Sequence, residues 1–191
     1  MSSDRKYELK IRAQRQRETR ERIVAATEGL HREVGPARTT IAEIGRRAGV
    51  ERLTVYNHFP DLGELFAACQ GHFLAAHPPP AIAPPKPLQR ALVELYRWFR
   101  SNREMERNIY RDRRLVPELD ELMRRSADAR FEEAARLHAE RLGRTPKGVR
   151  AVEHLVRLAL DFSTWDLLAG GGATDAEIAR LFQTSVDCLR T

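Results

Sequence analysis

A chain of 191 residues, 42% hydrophobic and 31% charged, has ordinary globular chemistry and the length for one or two domains with a real core. Its net charge of +6 is compatible with an anionic partner, and equally with a plain soluble surface rich in Arg. Cys69 and Cys188 lie far apart and give no disulfide framework, which fits a reducing cytosol, and no stretch approaches the ~20 apolar residues of a membrane-spanning helix. The polar amino terminus lacks an apolar h-region, and the expected compartment is the cytoplasm.

Residues 1–16 read as a basic amino-terminal arm, where Arg5, Lys6, Lys10, Arg12 and Arg15 outnumber Asp4 and Glu8. Such an arm is either a solvated tail, the better reading for residues 1–8, or a binder of phosphates or the minor groove. The first helix is predicted from about Arg17 to Val34, with Ile23, Thr27, Leu30 and Val34 at helical spacing. Gly35-Pro36 ends it.

Thr39 to Phe59 then reads as two short helices joined by a tight turn. Thr40 and Glu43 make a capping box, and Ile41, Ile44 and Ala48 share one helical face. Gly49 follows the last apolar position, where a helix end favours positive φ. The second helix runs from about Glu51 to His58. Helix, short turn with glycine, helix is the helix-turn-helix pattern. Val55 and Phe59 lie on one face of the second helix, Leu53 and Asn57 on the opposite one, with Thr54 and Tyr56 flanking. A half-buried structural helix would also put polar groups outward. Hydroxyl, phenol and amide are nevertheless the groups that bond phosphates and base edges, and an exposed Leu53 suits a thymine methyl.

Thr39-Thr40-Ile41, Ala48-Gly49-Val50, Thr54-Val55-Tyr56-Asn57-His58-Phe59 and Leu62-Gly63-Glu64-Leu65 resemble the amino-terminal domain of the tetracycline-repressor (TetR) family over about Arg20 to Phe66. The resemblance implies a dimeric, all-helical repressor with its recognition helix in the major groove and a divergent carboxy-terminal domain that binds a small molecule. Three positions differ from the family pattern: Glu51 stands at a cap that is often Ser or Thr, Leu53 at a usually small residue, and Leu62 at a common basic phosphate contact. The expected DNA-binding residues are Thr40, Arg52, Leu53, Thr54, Tyr56, Asn57 and His58. Arg52, Leu53 and Asn57 are assigned to base edges, Thr54 and Tyr56 to phosphates, and His58 to the margin.

Asp61 and Glu64 cap a fourth helix that runs to about Ala76. Cys69, His72 and His77 do not have a zinc-site spacing, so no metal is expected and Cys69 reads as a small buried apolar group. The prolines at 78, 79, 80, 84, 85 and 87 forbid a helix there and suggest polyproline II, either as a stiff connection or, less simply, as a ligand for a proline-binding module.

Helical patterns fill the rest of the chain. A fifth helix carries Leu88, Ala91, Leu92, Leu95 and Phe99, with Tyr96 and Trp98 beside them. A sixth spans about 103–114, its arginines most simply a solvated face. Pro117 opens a seventh that ends at Gly143. Thr145-Pro146 caps an eighth, predicted to run unbroken to about Leu168 with two apolar stripes. Gly170-Gly171-Gly172 ends it without the Lys-Ser/Thr of a phosphate loop. Thr174 and Glu177 cap the ninth.

No nucleophile–base pairing or metalloprotease motif is present, so neither an enzyme nor a cofactor is expected. Asp161 is the one acid in an apolar stretch; such a residue orients a ligand, sits in a buried pair or, more often, faces a polar gap. The fold expected is all-α, about nine helices, divided into the arm (1–16), a three-helix DNA-binding domain (17–62) and a ligand-binding and dimerisation domain (63–191). The function expected is a repressor of palindromic operator DNA, released by a small-molecule effector. The alternative is a basic helical module that binds nucleic acid or anionic surfaces without sequence choice. An effector pocket is expected among the fifth to eighth helices, lined by Trp98, Phe99, Tyr110, Phe131, His138 and Phe162, with Asp161 as polar anchor. The family resemblance places a homodimer interface on the last two helices, through Trp165, Leu168, Phe182, Val186 and Leu189.

Overall fold

The computed structural model describes residues 2–189, and of residues 2–5 the backbone alone. Every regular element among the described residues is helical. Helix α1 runs unbroken from Ser2 to Glu33. The sequence placed its start near Arg17 because apolar periodicity begins only at Ile23. Residues 2–16 contain no glycine or proline, however, and nothing in them stops a helix from continuing toward its amino end. The basic segment is therefore a helical extension rather than an irregular arm.

Gly35 closes α1 with φ 91°. That left-handed conformation favours glycine, and a Cβ there would also press on the Arg111 guanidinium at 2.2 Å and the Asp112 carboxylate at 2.3 Å, so both side chains would have to shift. A 3₁₀ turn, Pro36–Arg38, leads to α2 (Ile41–Ala48) and α3 (Arg52–His58). These pack on α1 through Ile23, Val24, Leu30, Ile44, Ala48, Val55 and Phe59.

Helix α4 (Leu62–Ala76) serves two cores. Leu65 joins the amino-terminal cluster, and one residue later Phe66 packs with Leu119 and Met123. The proline-rich connection stays irregular, as its composition requires, but it is not a free spacer: Ile82 is buried in the carboxy-terminal core.

The larger unit contains α5 (Leu88–Ser101), α6 (Arg103–Asp112), α7 (Pro117–Met123), α8 (Ala129–Leu142), α9 (Pro146–Ala159), α10 (Phe162–Gly170) and α11 (Asp175–Leu189). Two expectations change here. The helix predicted from Pro117 to Leu142 is continuous but contains a π turn at Arg124–Asp128. The helix predicted through Leu168 breaks at Leu160, and Asp161 caps α10 by accepting from the Thr164 N–H at 3.1 Å. The two apolar stripes thus belong to two helices. The core between them holds Leu92, Leu95, Tyr96, Phe99, Val152, Val156, Phe162 and Trp165, and the Tyr96 hydroxyl donates to the Ala159 carbonyl at 2.8 Å. The arginines expected on the sixth helix, 103–114, are not a simple solvated face: Arg107 pairs with Asp166, and Arg113, just past the end of α6, with Asp120 and Asp128.

Candidate nucleic-acid interface and ligand cavity

The turn between α2 and α3 is held at each joint. Thr40 accepts from the Glu43 N–H at 3.2 Å, although the Glu43 side chain turns to Arg46 instead of completing the box. Gly49 is left-handed (φ 66°), and the Val50 N–H donates to the Gly45 carbonyl at 2.9 Å. Arg47 forms a two-bond pair with Glu33 that ties α2 to the end of α1. Arg20 lies over the Phe59 ring at 4.4 Å. The small helix-turn-helix is thereby fixed on α1 by charge contacts as well as by its core.

Helix α3 presents the face that its sequence suggested. Val55 and Phe59 are buried. Arg52, Leu53, Tyr56 and Asn57 are exposed, Leu53 by 69%. Thr54 and His58 are half-buried, because the helical extension of α1 runs beside them. Ile11, Arg12, Arg15 and Thr19 border one shallow groove together with Thr54 and His58. Arg52 donates to the Tyr56 hydroxyl at 3.0 Å and so fixes the phenol on the outer face. Thr40 sits exposed at the amino end of α2, its hydroxyl used as the cap.

A cavity of about 310 Å³ lies where α1, α4, α5, α6, α7 and α8 converge. Of the expected lining residues, Trp98, Phe99, Tyr110 and Phe131 are in its wall. His138, Asp161 and Phe162 are not. His138 is buried against the Ile82 carbonyl at 2.8 Å, Asp161 is spent on its helix cap, and Phe162 fills the aromatic core against Phe99 and Tyr110. Sequence reasoning missed His31, Cys69, Glu106, Met123 and Arg130 in the wall. The charged pair was legible in principle, since Glu106 lies one residue from the apolar Met105 and Arg130 one residue from Phe131. His31 was not, because its helix was assigned wholly to the other domain.

Burial sets the electrostatics of this cavity. It pushes the His31 imidazole down to about 4, against the pull of Asp112, and the Cys69 thiol up to about 12. The two meet at 3.7 Å between Sγ and Nδ1, while the other imidazole nitrogen of His31 is buried without a partner. Burial also pushes Glu106 up to about 7, against the attraction of Arg130, and holds Arg130 itself below its usual value. No group of three or more His, Cys, Asp or Glu among the described residues is placed to hold a metal ion; His72 instead meets Glu28 at 2.6 Å.

One helix joins the cavity to the helix-turn-helix unit. Helix α6 lines the cavity with Met105, Glu106, Ile109 and Tyr110. From its carboxy-terminal half, Asn108 donates to the carbonyls of His31 and Arg32, Arg111 to that of Val34, and Asp112 accepts from the Ala37 N–H at 3.0 Å. Burial works against the Asp112 charge, but the bonds from Arg111 and Ala37 hold its carboxyl below the ordinary value.

Of the residues expected at a dimer interface, Trp165, Phe182 and Val186 are buried within the protomer and offer no surface to a partner. Trp165 donates to Asp175 at 3.0 Å. Leu168 is half-buried and Leu189 is 39% exposed. The large apolar side chains that do face outward on this side are Leu158 of α9, Leu167 of α10, and Leu181 and Leu189 of α11.

The sequence pattern of the bacterial regulatory proteins of the tetR family matches residues 23–69, from α1 into α4. No curated protein matches the chain significantly. Among solved structures, the chain is similar to a transcriptional regulator from Rhodococcus sp. RHA1, with TM-score 0.62 and 18% identity over 89% of this chain and 95% of that one. It is similar also to native NalD, the secondary repressor of the MexAB-OprM multidrug efflux pump in Pseudomonas aeruginosa, with TM-score 0.54 and 22% identity over 90% of this chain and 94% of that one. No helix among the described residues is long and apolar enough to cross a membrane. The amino-terminal motif and its geometry agree: residues 23–69 carry the amino-terminal pattern of the bacterial regulatory proteins of the tetR family, and the chain shares its all-helical fold with these solved regulators.

Proposed function

We propose that this chain is a cytoplasmic, homodimeric repressor that binds a palindromic operator and leaves it when a small molecule occupies the cavity. The observation that carries this reading is the double use of α6, which walls the cavity on one face and grips the end of α1 on another. Helix α4 adds a second route, since Leu65 and Phe66 pack into different cores. The fold shared with NalD, itself a repressor, supports the same reading. The division of labour follows the boundaries 1–16, 17–62 and 63–191, with the first segment a helical arm.

In this reading Arg52, Leu53 and Asn57 meet base edges, His58 lies at the margin, and Tyr56, Thr54 and Thr40 meet phosphates. Arg12 and Arg15 add phosphate contacts beside α3. The partner subunit covers the outward leucines of α9 and α11 together with Leu168 and Leu189. Two-fold symmetry then lets two short recognition helices read two half-sites together.

Enrichment of random duplex DNA on the purified full-length protein, followed by sequencing, tests the reading. A palindrome with half-sites about one helical turn apart is expected. Retention of DNA without sequence preference, falling steeply with salt, would instead support a non-specific basic module. Ligand release carries a reciprocal requirement: whatever factor the ligand imposes on operator affinity, the operator must impose on ligand affinity.

A further inference from the structure

We propose that the cavity takes an aromatic ligand bearing a protonated nitrogen, and that the carboxylate of Glu106 is its anchor. This inference rests on the reading of the cavity as the effector site. Glu106 is only 8% exposed and lines the cavity, yet its carboxyl group forms no side-chain hydrogen bond or close ion pair with a described residue. A buried carboxylate without a donor is costly, and a ligand N–H⁺ would remove that cost with a charge-assisted bond.

The cavity also contains Arg130, so an anionic ligand is the competing possibility. Arg130 is the better satisfied of the two charges. It is half-buried and, like Glu106, has no side-chain hydrogen bond to a described residue, but its guanidinium lies over the Phe131 ring at 5.3 Å, a partner that the Glu106 carboxylate lacks. It acts on Glu106 through space rather than by a close ion pair. An incoming carboxylate would also approach Glu106, which repels it whenever that acid is ionised. The remaining ionisable groups do not compete: the His31 imidazole and Cys69 thiol stay neutral at pH 7, and burial keeps the Tyr110 phenol protonated. The faces of Phe66, Trp98, Tyr110 and Phe131 supply the rest of the wall. Aromatic faces attract cations and cover flat apolar bodies, and the volume suits a two-ring ligand.

Three probes of one shape and different charge test the assignment: 2-naphthylmethylammonium, 2-naphthylmethanol and 2-naphthylacetate. Each is titrated calorimetrically into full-length wild type, Glu106→Gln and Glu106→Asp, with thermal unfolding as a check on folding. The ammonium is expected to bind wild type at least about tenfold more tightly than the alcohol, the worth of one charge-assisted bond. Glu106→Gln should erase that preference and leave alcohol binding within about threefold, while Glu106→Asp keeps part of it. Tightest binding of the acetate would make Arg130 the anchor and overturn the proposal. Equal binding of ammonium and alcohol, or no binding of the ammonium, would overturn it as well. The DNA enrichment separates the two readings. A selected palindrome without cation preference defeats the ligand class alone. Cation preference without a selected sequence defeats the repressor reading alone.

Discussion

The side-chain amide of Asn108 bonds two main-chain oxygens of α1, that of His31 at 3.0 Å and that of Arg32 at 2.7 Å. The last carbonyls of a helix have no partner within it, so α6 completes the end of α1. Asn108 is not in the cavity wall. Replacing it by Ala should therefore spare ligand binding and reduce the coupling between ligand and DNA. If that coupling is about 1–3 kcal/mol, as is usual, the variant should lose at least half of it. Operator affinities measured with and without the naphthylmethylammonium probe give the number. An unchanged ratio of the two would remove this contact from the route.

Glu106 and His31 line the same cavity and depend on pH in opposite directions. Burial raises Glu106 from 4.5 to about 7, against the Arg130 charge, so the folded state holds this proton more tightly. Its stabilising contribution is complete below pH 4.5 and is lost as pH rises through about 7. Burial lowers His31 from 6.5 to about 4, and the folded state rejects that proton; stability is gained between those values. Each effect is about 3 kcal/mol by linkage, and over the shared interval the two offset each other. Subtracting the wild-type urea-unfolding curve from that of Glu106→Gln isolates the acid. The difference should grow in favour of the variant from pH 4.5 to 7 and then level off. A difference independent of pH would show that Glu106 titrates normally in the folded protein.

On α3, Asn57 is exposed and Thr54 lies against the extension of α1. Asn57→Ala should cost about 1–3 kcal/mol at the operator and relax preference at one position per half-site. Arg12→Ala with Arg15→Ala should weaken all sequences alike. The slope of log affinity against log salt should flatten by ~0.9 for each phosphate contact removed. Competition binding on operator and scrambled duplexes distinguishes the two behaviours. A sequence-specific loss from the arginine variants would show that the arm reads bases.

The leucines that face outward and the aromatics that face inward should respond differently to charge. Leu158→Glu with Leu181→Glu should give folded monomers with weak operator binding, since both side chains are more than half exposed. Phe182→Glu should unfold the protomer, because it buries a charge in the core. Sedimentation velocity with circular dichroism reads both. A double variant that stays dimeric would place the interface elsewhere.

Where local chemistry decides structure, the sequence was readable. Thr40, Asp61, Thr145 and Thr174 cap the helices they were expected to cap, because a short oxygen-bearing side chain before an apolar run has few other uses. The faces of α3 followed from periodicity alone. Periodicity failed at Asp161, where apolar residues continue through a helix break and hide it. It failed also at residues 2–16, where a solvated helix has no apolar face to reveal it. Four cavity residues were foreseen because aromatics cluster in sequence. His138 and Phe162 looked equivalent, but aromatic spacing does not distinguish a filled core from the rim of a space beside it. Trp165, Phe182 and Val186, expected at an interface, lie in the protomer core for a related reason: apolar spacing marks a buried face without showing whether the same chain or another covers it.

The length of α1 has a mechanical consequence. With about 1.5 Å of rise per residue, the stretch from the Asn108 contact at His31 to Lys10 is a lever of roughly 30 Å. If that end acts as the fulcrum, a tilt of about 5° there displaces Lys10 by roughly 3 Å, a large part of a hydrogen-bonding distance. The shift at the cavity wall would be a few tenths of an ångström over the first turn. A ligand therefore need not reshape α3 to spoil its fit to DNA. It need only lean on the short end of a rigid rod whose long end lies beside the recognition helix.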